Sequence, residues 1–497
     1  MSETSRAVSE TVKSLDPEVS SRSCPKTLMQ SIVHELKLQM RIGLPLVVMN
    51  LLWFGKMTTT SVFLGRQGEL NLAGGSLGYS FANVTGFAIL YGISAAMEPI
   101  CGQAFGAKNF KLLHKTLLMA VLLLFLISIP ISFLWLNIDK ILICFGQRED
   151  ISLISKRYLL YLLPDLPILS LLCPLKAYLS SQGVTLPIMY TTVAATSLHI
   201  PINIFLSRAN GLEGVAMAVW ITDSIVVILL TGYVIAAERV KENKWKEGGW
   251  LEQSVQGWLT LIKLSGPCCL TVCLEWWCYE TLVLLTGKLP NAVQSVSIFV
   301  IVMNFDYLLY AVMLSLGTCV ATRVSNELGA NNPKGAYRAA CTTLIVGVVF
   351  GCIGALAMIS FRGVWGSLYT HHDQVILDGV KKMMLIMAVF EVINFPLVVC
   401  GEIVRGTAKP SLGMYANLGG FYLLALPLGT SLAFKAKLGL EGFLIGLLVG
   451  IFVCFSILLI FIARIDWEKE AAKAQILTCS TEEEETSQVS RQDRISN

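Results

Sequence analysis

Two glutamates, Glu275 and Glu280, stand inside the apolar run CLTVCLEWWCYETLVLL at 269–285. A charged group at the centre of a bilayer costs roughly 2.5–3.5 kcal/mol on insertion scales, so a carboxyl placed there needs a task. The task it suits is taking up and releasing a proton, because apolar surroundings penalise its charged form alone. Five residues turn a helix by about 500°, which leaves the two carboxyls about 140° apart on different faces. Glu275, deep in the run, is the candidate proton carrier. Glu280 is left between a lesser cavity role and a packing hydrogen bond. Trp276 and Tyr279 flank Glu275 and either offer ring faces to a planar or cationic solute or simply pack.

A second set lies in VFEVINFPLVVCGEIV at 389–404, with Glu391, Asn394 and Glu402. Glu391 and Asn394 are one turn apart, and Glu391 and Glu402 fall about 20° from a shared face of a straight helix. Pro396 interrupts that stripe by removing a backbone donor. Glu402 is placed to pair with Arg405. Asn304 and Asp306, in VMNFDYLLY, read either as further cavity groups or as polar residues near a helix start. Asp223, in the apolar run 213–237, is another cavity candidate. His199, in LHIPINIFL, reads as a proton relay or, more simply, as a hydrogen-bonded structural histidine. Pro45 marks a hinge or a static bend, and the sequon at Asn83 lies inside an apolar run where no sugar is added.

These groups need a scaffold, and composition names it. Of 497 residues, 54% are hydrophobic and 14% charged, with net charge +4. Soluble domains carry about a quarter charged residues. Mean hydropathy is +0.65. The chain therefore reads as an all-α polytopic protein with the lipid bilayer as its solvent. Windows of about 20 apolar residues occur near 42–62, 72–97, 116–136, 155–180, 186–207 and 213–237, and again near 258–286, 293–318, 338–361, 376–402, 412–433 and 439–463. Twelve spans put both termini on one side. Lys108, Lys111, Lys115, Arg239, Lys241, Arg323, Lys334, Arg338 and Lys409 gather on that side, which makes it cytosolic.

The polar connection ERVKENKWKEGGW at 238–250 splits the spans into two sets of six. PICGQAFGAKNF (99–110) and TRVSNELGANNP (322–333) match across the split, Gly106 aligning with Gly329 and Gln103 with Asn326. Repeated halves with a site between them are a common plan of secondary transporters. The expected organisation is a cytosolic tail at 1–35, an N-lobe at 36–237, an inter-lobe loop at 238–257, a C-lobe at 258–465 and an acidic, disordered tail at 466–497. No leading signal segment is evident. There is no GxxxxGK[ST] loop for ATP and no TVGYG-like filter. The cysteines lack metal or redox spacing and read as packing residues. Neither an enzyme activity, a metal nor a nucleic-acid partner is expected.

The stretch FLGRQGELNLAGGSLGYSFANVTGFAILYGISAAMEPICGQAFGAKN (63–109), with CLEWWCYE (273–280), TRVSNELGANNP and IVRGTAKPSLGMYANLGGFYL (403–423), resembles plant MATE (multidrug and toxic compound extrusion) transporters of the DETOXIFICATION family. The resemblance covers nearly everything between the tails. It implies twelve helices in two pseudo-symmetric six-helix lobes, with a cavity that opens alternately to either side. It also implies proton-coupled export of organic solutes, with the proton as the one coupling species and no other cofactor. Glu275 falls on the family's proton-binding glutamate. Aligned through Arg405-Gly406, Asn394 falls where many relatives carry an aspartate, and asparagine cannot hold a proton. Glu391 then supplies the missing carboxyl, or Glu275 works alone, or coupling is lost; the first is preferred. The resemblance further implies a plasma-membrane role in guard-cell responses to carbon dioxide, with an endomembrane location as the alternative. The transport unit is expected to be a monomer. A second reading makes the chain a transporter-like receptor that senses bicarbonate or another small ligand and acts through a cytosolic signalling protein.

Overall fold

In lipid a chain must close its backbone hydrogen bonds within its own helices, and each long apolar run here does so. The computed structural model describes residues 25–240, 254–370 and 373–478. Its spans are α1 (Pro25–Arg66), α2 (Glu69–Gly106) and α3 (Phe110–Leu136). Next comes α4, Glu149–Leu162 and Asp165–Ser181 bent by 53° around Pro164. The helical run Leu186–Val240 leaves helical geometry at Gly211 (φ 57°, ψ −126°), dividing into α5 (186–210) and α6 (212–240). The second half holds α7 (Val255–Thr286), α8 (Ala292–Gly329), α9 (Pro333–Phe361), α10 (Gln374–Gly406), α11 (Pro410–Lys435) and α12 (Leu440–Ala463). With the bent α4 counted as one span and the Leu186–Val240 run as two, the described residues make twelve crossings, as expected. Leu126 and Phe133 on α3 are each 64% exposed, and Leu356 on α9 63%. Such an apolar exterior suits lipid and would not suit water.

Two apolar cores build the two lobes. One joins residues from Phe63 to Val234, the other residues from Cys278 to Leu458. The α7 helix belongs to both: Leu261 and Cys268 pack into the first core, Cys278 and Leu282 into the second. A Cβ on Gly92 of α2 would stand 2.6 Å from the Cα of Cys269, so α2 and α7 touch backbone to backbone. In the same manner α1 leans on the other lobe. Its Ile42 and Leu46 pack on Cys319 of α8, and the Asn50 amide donates to Ser315 Oγ at 2.9 Å.

The matched segments fold identically. Lys108 (φ 60°) and Asn331 (φ 55°) both end their helices in the left-handed region. Asn109 then caps α3 by accepting from the Leu112 N–H, and Asn332 caps α9 by accepting from the Gly335 N–H. Both asparagines satisfy a donor orphaned at a helix start.

The boundaries differ from expectation at both tails. The first helix begins at Pro25, inside the expected 1–35 tail, and its Glu35 accepts two hydrogen bonds from Arg323 at 2.9 Å each. Proline suits that first helical position because its missing N–H is not needed there. The tail expected to be disordered from 466 is a helix, α13, over 467–478. Composition pointed to disorder because acidic and polar residues dominate the tail as a whole. At its start, however, Trp467, Ala471 and Ala474 pack on Val320, Val324, Leu328 and Ile403. Residues 1–24, most of the expected inter-lobe loop and the tail beyond 478 lie outside the described residues.

Candidate functional site

The crossing of α7 from one core to the other places Glu275 between the lobes. A cavity of about 290 Å³ opens there, walled by Asn50, Trp53, Tyr91, Glu98 and Lys176 from the N-lobe and by Glu275, Trp276, Tyr310, Asn394, Glu402 and Arg405 from the C-lobe. Glu275 is half-buried. Its electrostatic neighbours are Glu402, Asp306 and Arg405, and no hydrogen bond or ion pair fixes its carboxyl among the described residues. Glu280 points elsewhere, accepting from Ser80 Oγ at 3.3 Å across the lobe interface.

Aromatic rings roof the cavity across the interface. Phe54 stacks on Tyr307 (5.9 Å, 13°), Tyr307 on Trp276 (6.4 Å, 18°), and Tyr310 meets Trp276 edge-on at 5.7 Å. Trp277 Nε1 donates to the Val84 carbonyl at 3.1 Å. That carbonyl belongs to a π-helical turn, Asn83–Phe87, within α2. Such turns loosen the regular backbone ladder and often mark functional positions. Tyr279, expected as a substrate contact, instead packs on the C-lobe core and does not line the cavity.

The expected pairing of Glu275 with Glu391 is not formed. Glu391 is fully buried outside the cavity, its carboxyl beside that of Asp306 and its backbone oxygen facing Gly351 of α9. The straight-helix stripe therefore fails at Glu391: Asn394 and Glu402 line the cavity, while Glu391, one turn before Asn394, faces helices α8 and α9. Asn394 is buried and donates to Met313 Sδ at 3.5 Å. Asp306 is buried next to Glu391 and away from the cavity. Asn304 lies against the Tyr369 hydroxyl and does not line the cavity.

Three charged groups close one end of the cavity. Arg405 pairs with Glu402 on its own helix, and its Nε stands 3.2 Å from Glu98 Oε2 of α2. The second contact misses hydrogen-bond alignment and is an ion pair between lobes. Glu98 went unnoticed in the sequence because it lies just past the apolar window of α2. Below this trio the matched repeats seal the end that carries the basic loops. A Cβ on Gly106 would stand 2.1 Å from the Asn326 oxygen, and one on Gly329 would stand 2.1 Å from the Gln103 oxygen. The two contacts are reciprocal, each repeat's glycine resting on the other's amide residue. The α13 helix spans the seal: Gln475 donates to the Gly329 oxygen at 2.7 Å, and Asn109 donates to the Thr478 oxygen at 3.0 Å.

The N-lobe wall holds a charge pair that the sequence reading half missed. Asp223 accepts from Lys56 Nζ through both oxygens at 2.7 Å, and both residues are buried. A lysine inside the first apolar window was the available signal. His199 is fully buried with both ring nitrogens engaged, by Thr222 at 2.7 Å and by Thr60 and Asn203 at 3.2 and 2.9 Å. These contacts fix the ring within the N-lobe.

The MatE family model matches residues 45–205 and 267–430. Protein DETOXIFICATION 56 of Arabidopsis thaliana is 85% identical over 493 residues, covering 99% of each chain. Protein DETOXIFICATION 49 of the same organism is 40% identical over 467 residues, covering 92% of each. The crystal structure of the eukaryotic MATE transporter AtDTX14 superposes with a TM-score of 0.83 at 29% identity, over 90% of this chain and 99% of that one. With its two lobes, its cavity and its repeated halves, the chain belongs to the MATE family of membrane transporters.

Proposed function

We propose that this transporter is a proton-coupled antiporter that exports small organic solutes by alternating access, with Glu275 as the coupling group. The observation that carries the reading is the position of Glu275. It lines the shared cavity at the point where α7 passes from one lobe's core to the other's. A change in its charge therefore acts on the substrate and on the lobe contact together. With the cavity open to the cytosol and Glu275 ionised, substrate binds. After outward opening, protonation removes the charge and releases it. Protons shift the equilibrium only by their differential affinity for the two states, and one titrating group facing both supplies that difference. The basic loops support cytosolic termini, and the family resemblance supports a plasma-membrane location and a link with guard-cell responses to carbon dioxide.

The position of α13 supports a second reading. It touches both lobes at the basic end, so a change in their contact would alter a surface available to a cytosolic signalling protein. In that reading bicarbonate or another small ligand shifts the lobes and no net flux is needed.

Proteoliposomes with an imposed pH gradient separate the readings. Wild-type protein should accumulate members of a panel of planar organic cations and zwitterions. Glu275→Gln should abolish gradient-driven accumulation while leaving the protein folded. Glu391→Gln, altering a carboxyl outside the cavity, should keep at least a tenth of the flux. Full flux through Glu275→Gln sinks the coupling role, and ligand-dependent partner binding without flux favours the receptor.

A further inference from the structure

The cations near the cavity are not equivalent. Arg405 is held by Glu98 and Glu402, and Lys56 is held by both oxygens of Asp223. Lys176 of α4 lines the same cavity from the N-lobe wall. It makes no hydrogen bond or ion pair among the described residues. The one acid near enough to influence it is Asp223, already taken by Lys56. An ammonium facing a cavity without a fixed partner is an open anchor for an anionic oxygen.

Two further features define what else the ligand must carry. Tyr91 lies beside Cys173, one turn from Lys176 on α4, and meets Trp53 edge-on at 6.4 Å. The C-lobe wall opposite carries Glu275 and Trp276. An ammonium on one wall, a carboxyl on the other and rings on both are the complement of an aromatic body with a carboxylate and an amine.

We propose that the cavity binds an aromatic zwitterion, its carboxylate on Lys176 and its amine toward Glu275, with its ring between the aromatic walls. This rests on the antiporter reading and names its substrate class. A purely anionic ligand would bind better once Glu275 is protonated, which opposes release on proton uptake. A zwitterion loses one of its two anchors when Glu275 takes a proton, so the charges fit exchange.

Calorimetric titration of the detergent-purified full chain tests this with three matched probes: L-tryptophan, tryptamine without the carboxylate, and 3-indolepropionate without the amine. Tryptophan should bind at least tenfold tighter than either, the loss of one charged hydrogen-bonded anchor being worth a factor of ten or more. Lys176→Met should erase the preference for tryptophan over tryptamine, while Lys176→Arg retains the preference. Equal binding of the three probes by wild type, or an unchanged tryptophan-to-tryptamine ratio in Lys176→Met, overturns the proposal. Should Lys176→Met fail to fold, loss of the preference in a folded Lys176→Arg overturns it equally. Because no gradient is applied, these outcomes stand apart from the flux of Glu275→Gln, which tests the antiporter itself.

Discussion

The two lobes share a fold and treat buried charge differently. In the N-lobe, Asp165 and Asp223 are matched by Lys56 and Lys176, and Lys56 binds Asp223 directly at 2.7 Å. In the C-lobe, Glu275 and Glu402 share one nearby cation, Arg405, which Glu98 of the N-lobe also claims, while Asp306 and Glu391 neighbour each other with no cation beside them among the described residues. A balanced pair behaves as a fixed strut, because separating it leaves a charge in hydrocarbon. A surplus of carboxyls behaves as a set of places for protons. The contrast sets a fixed buried pair in the N-lobe against an excess of carboxyls over cations in the C-lobe.

The sharpest way to break that contrast is Lys56→Met. It strands Asp223 in the N-lobe interior and should cost about 3–5 kcal/mol, the usual loss on removing one partner of a buried pair. Thermal unfolding in detergent reads the loss directly. Adding Asp223→Asn should recover most of it, because no charge is then left unpaired. Glu275→Gln, which breaks no contact in the described structure, should shift the same transition far less. If the two single substitutions destabilise equally, Lys56–Asp223 is no strut and the comparison fails.

A second test concerns what both lobes do alike. Gly106 and Gly329 meet backbone atoms of the opposite repeat, so a methyl at either must move a helix rather than a side chain. Gly106→Ala or Gly329→Ala should part the lobes at the basic end. Spin labels at the exposed Lys108 and Lys334 should report longer, broader distances for either variant. Because each substitution opens the same seam, the double variant should add less than the sum of the singles. Gly232→Ala, with nothing within 4 Å of its added Cβ, is the control and should leave the distances unchanged. Wild-type distances in both test variants remove the seal.

These features differ in how far the sequence revealed them. The spans were legible because twenty apolar residues have few uses outside lipid. The seal was legible as an alignment of Gly106 with Gly329, although its meaning, each glycine resting on the other repeat, needed the fold. The different directions of Glu275 and Glu280 followed from helical angle alone. Angle misled at Glu391, which a straight helix would align with Glu402 but which packs against α8 and α9 outside the cavity. Lys56 and Lys176 stand inside the apolar windows of α1 and α4, whereas Glu98 lies just past the window of α2. The rule that makes a buried carboxyl conspicuous applies equally to a buried ammonium. Trp467–Thr478 was hidden by the acidic residues that follow it, since averaging over a tail conceals one short helix with a small apolar face.

That helix offers the mildest test of how the lobes are joined. Gln475 reaches the Gly329 oxygen and Asn109 reaches the Thr478 oxygen, so α13 links the same two repeats that the glycines seal. Lys409 also binds Glu470 at 2.7 Å, tying the helix to the loop that follows α10. Gln475→Ala removes one neutral hydrogen bond, worth about 0.5–1.5 kcal/mol, and leaves the apolar face of Ala471 and Ala474 in place. The protein should unfold at nearly the wild-type temperature, while limited proteolysis cuts the C-terminal helix several-fold faster. The lobe distances at Lys108 and Lys334 should barely change, because the glycine contacts remain. If Gln475→Ala instead parted the lobes as far as Gly329→Ala, the seal would belong to the helix, and the reciprocal glycines would be packing that follows from it.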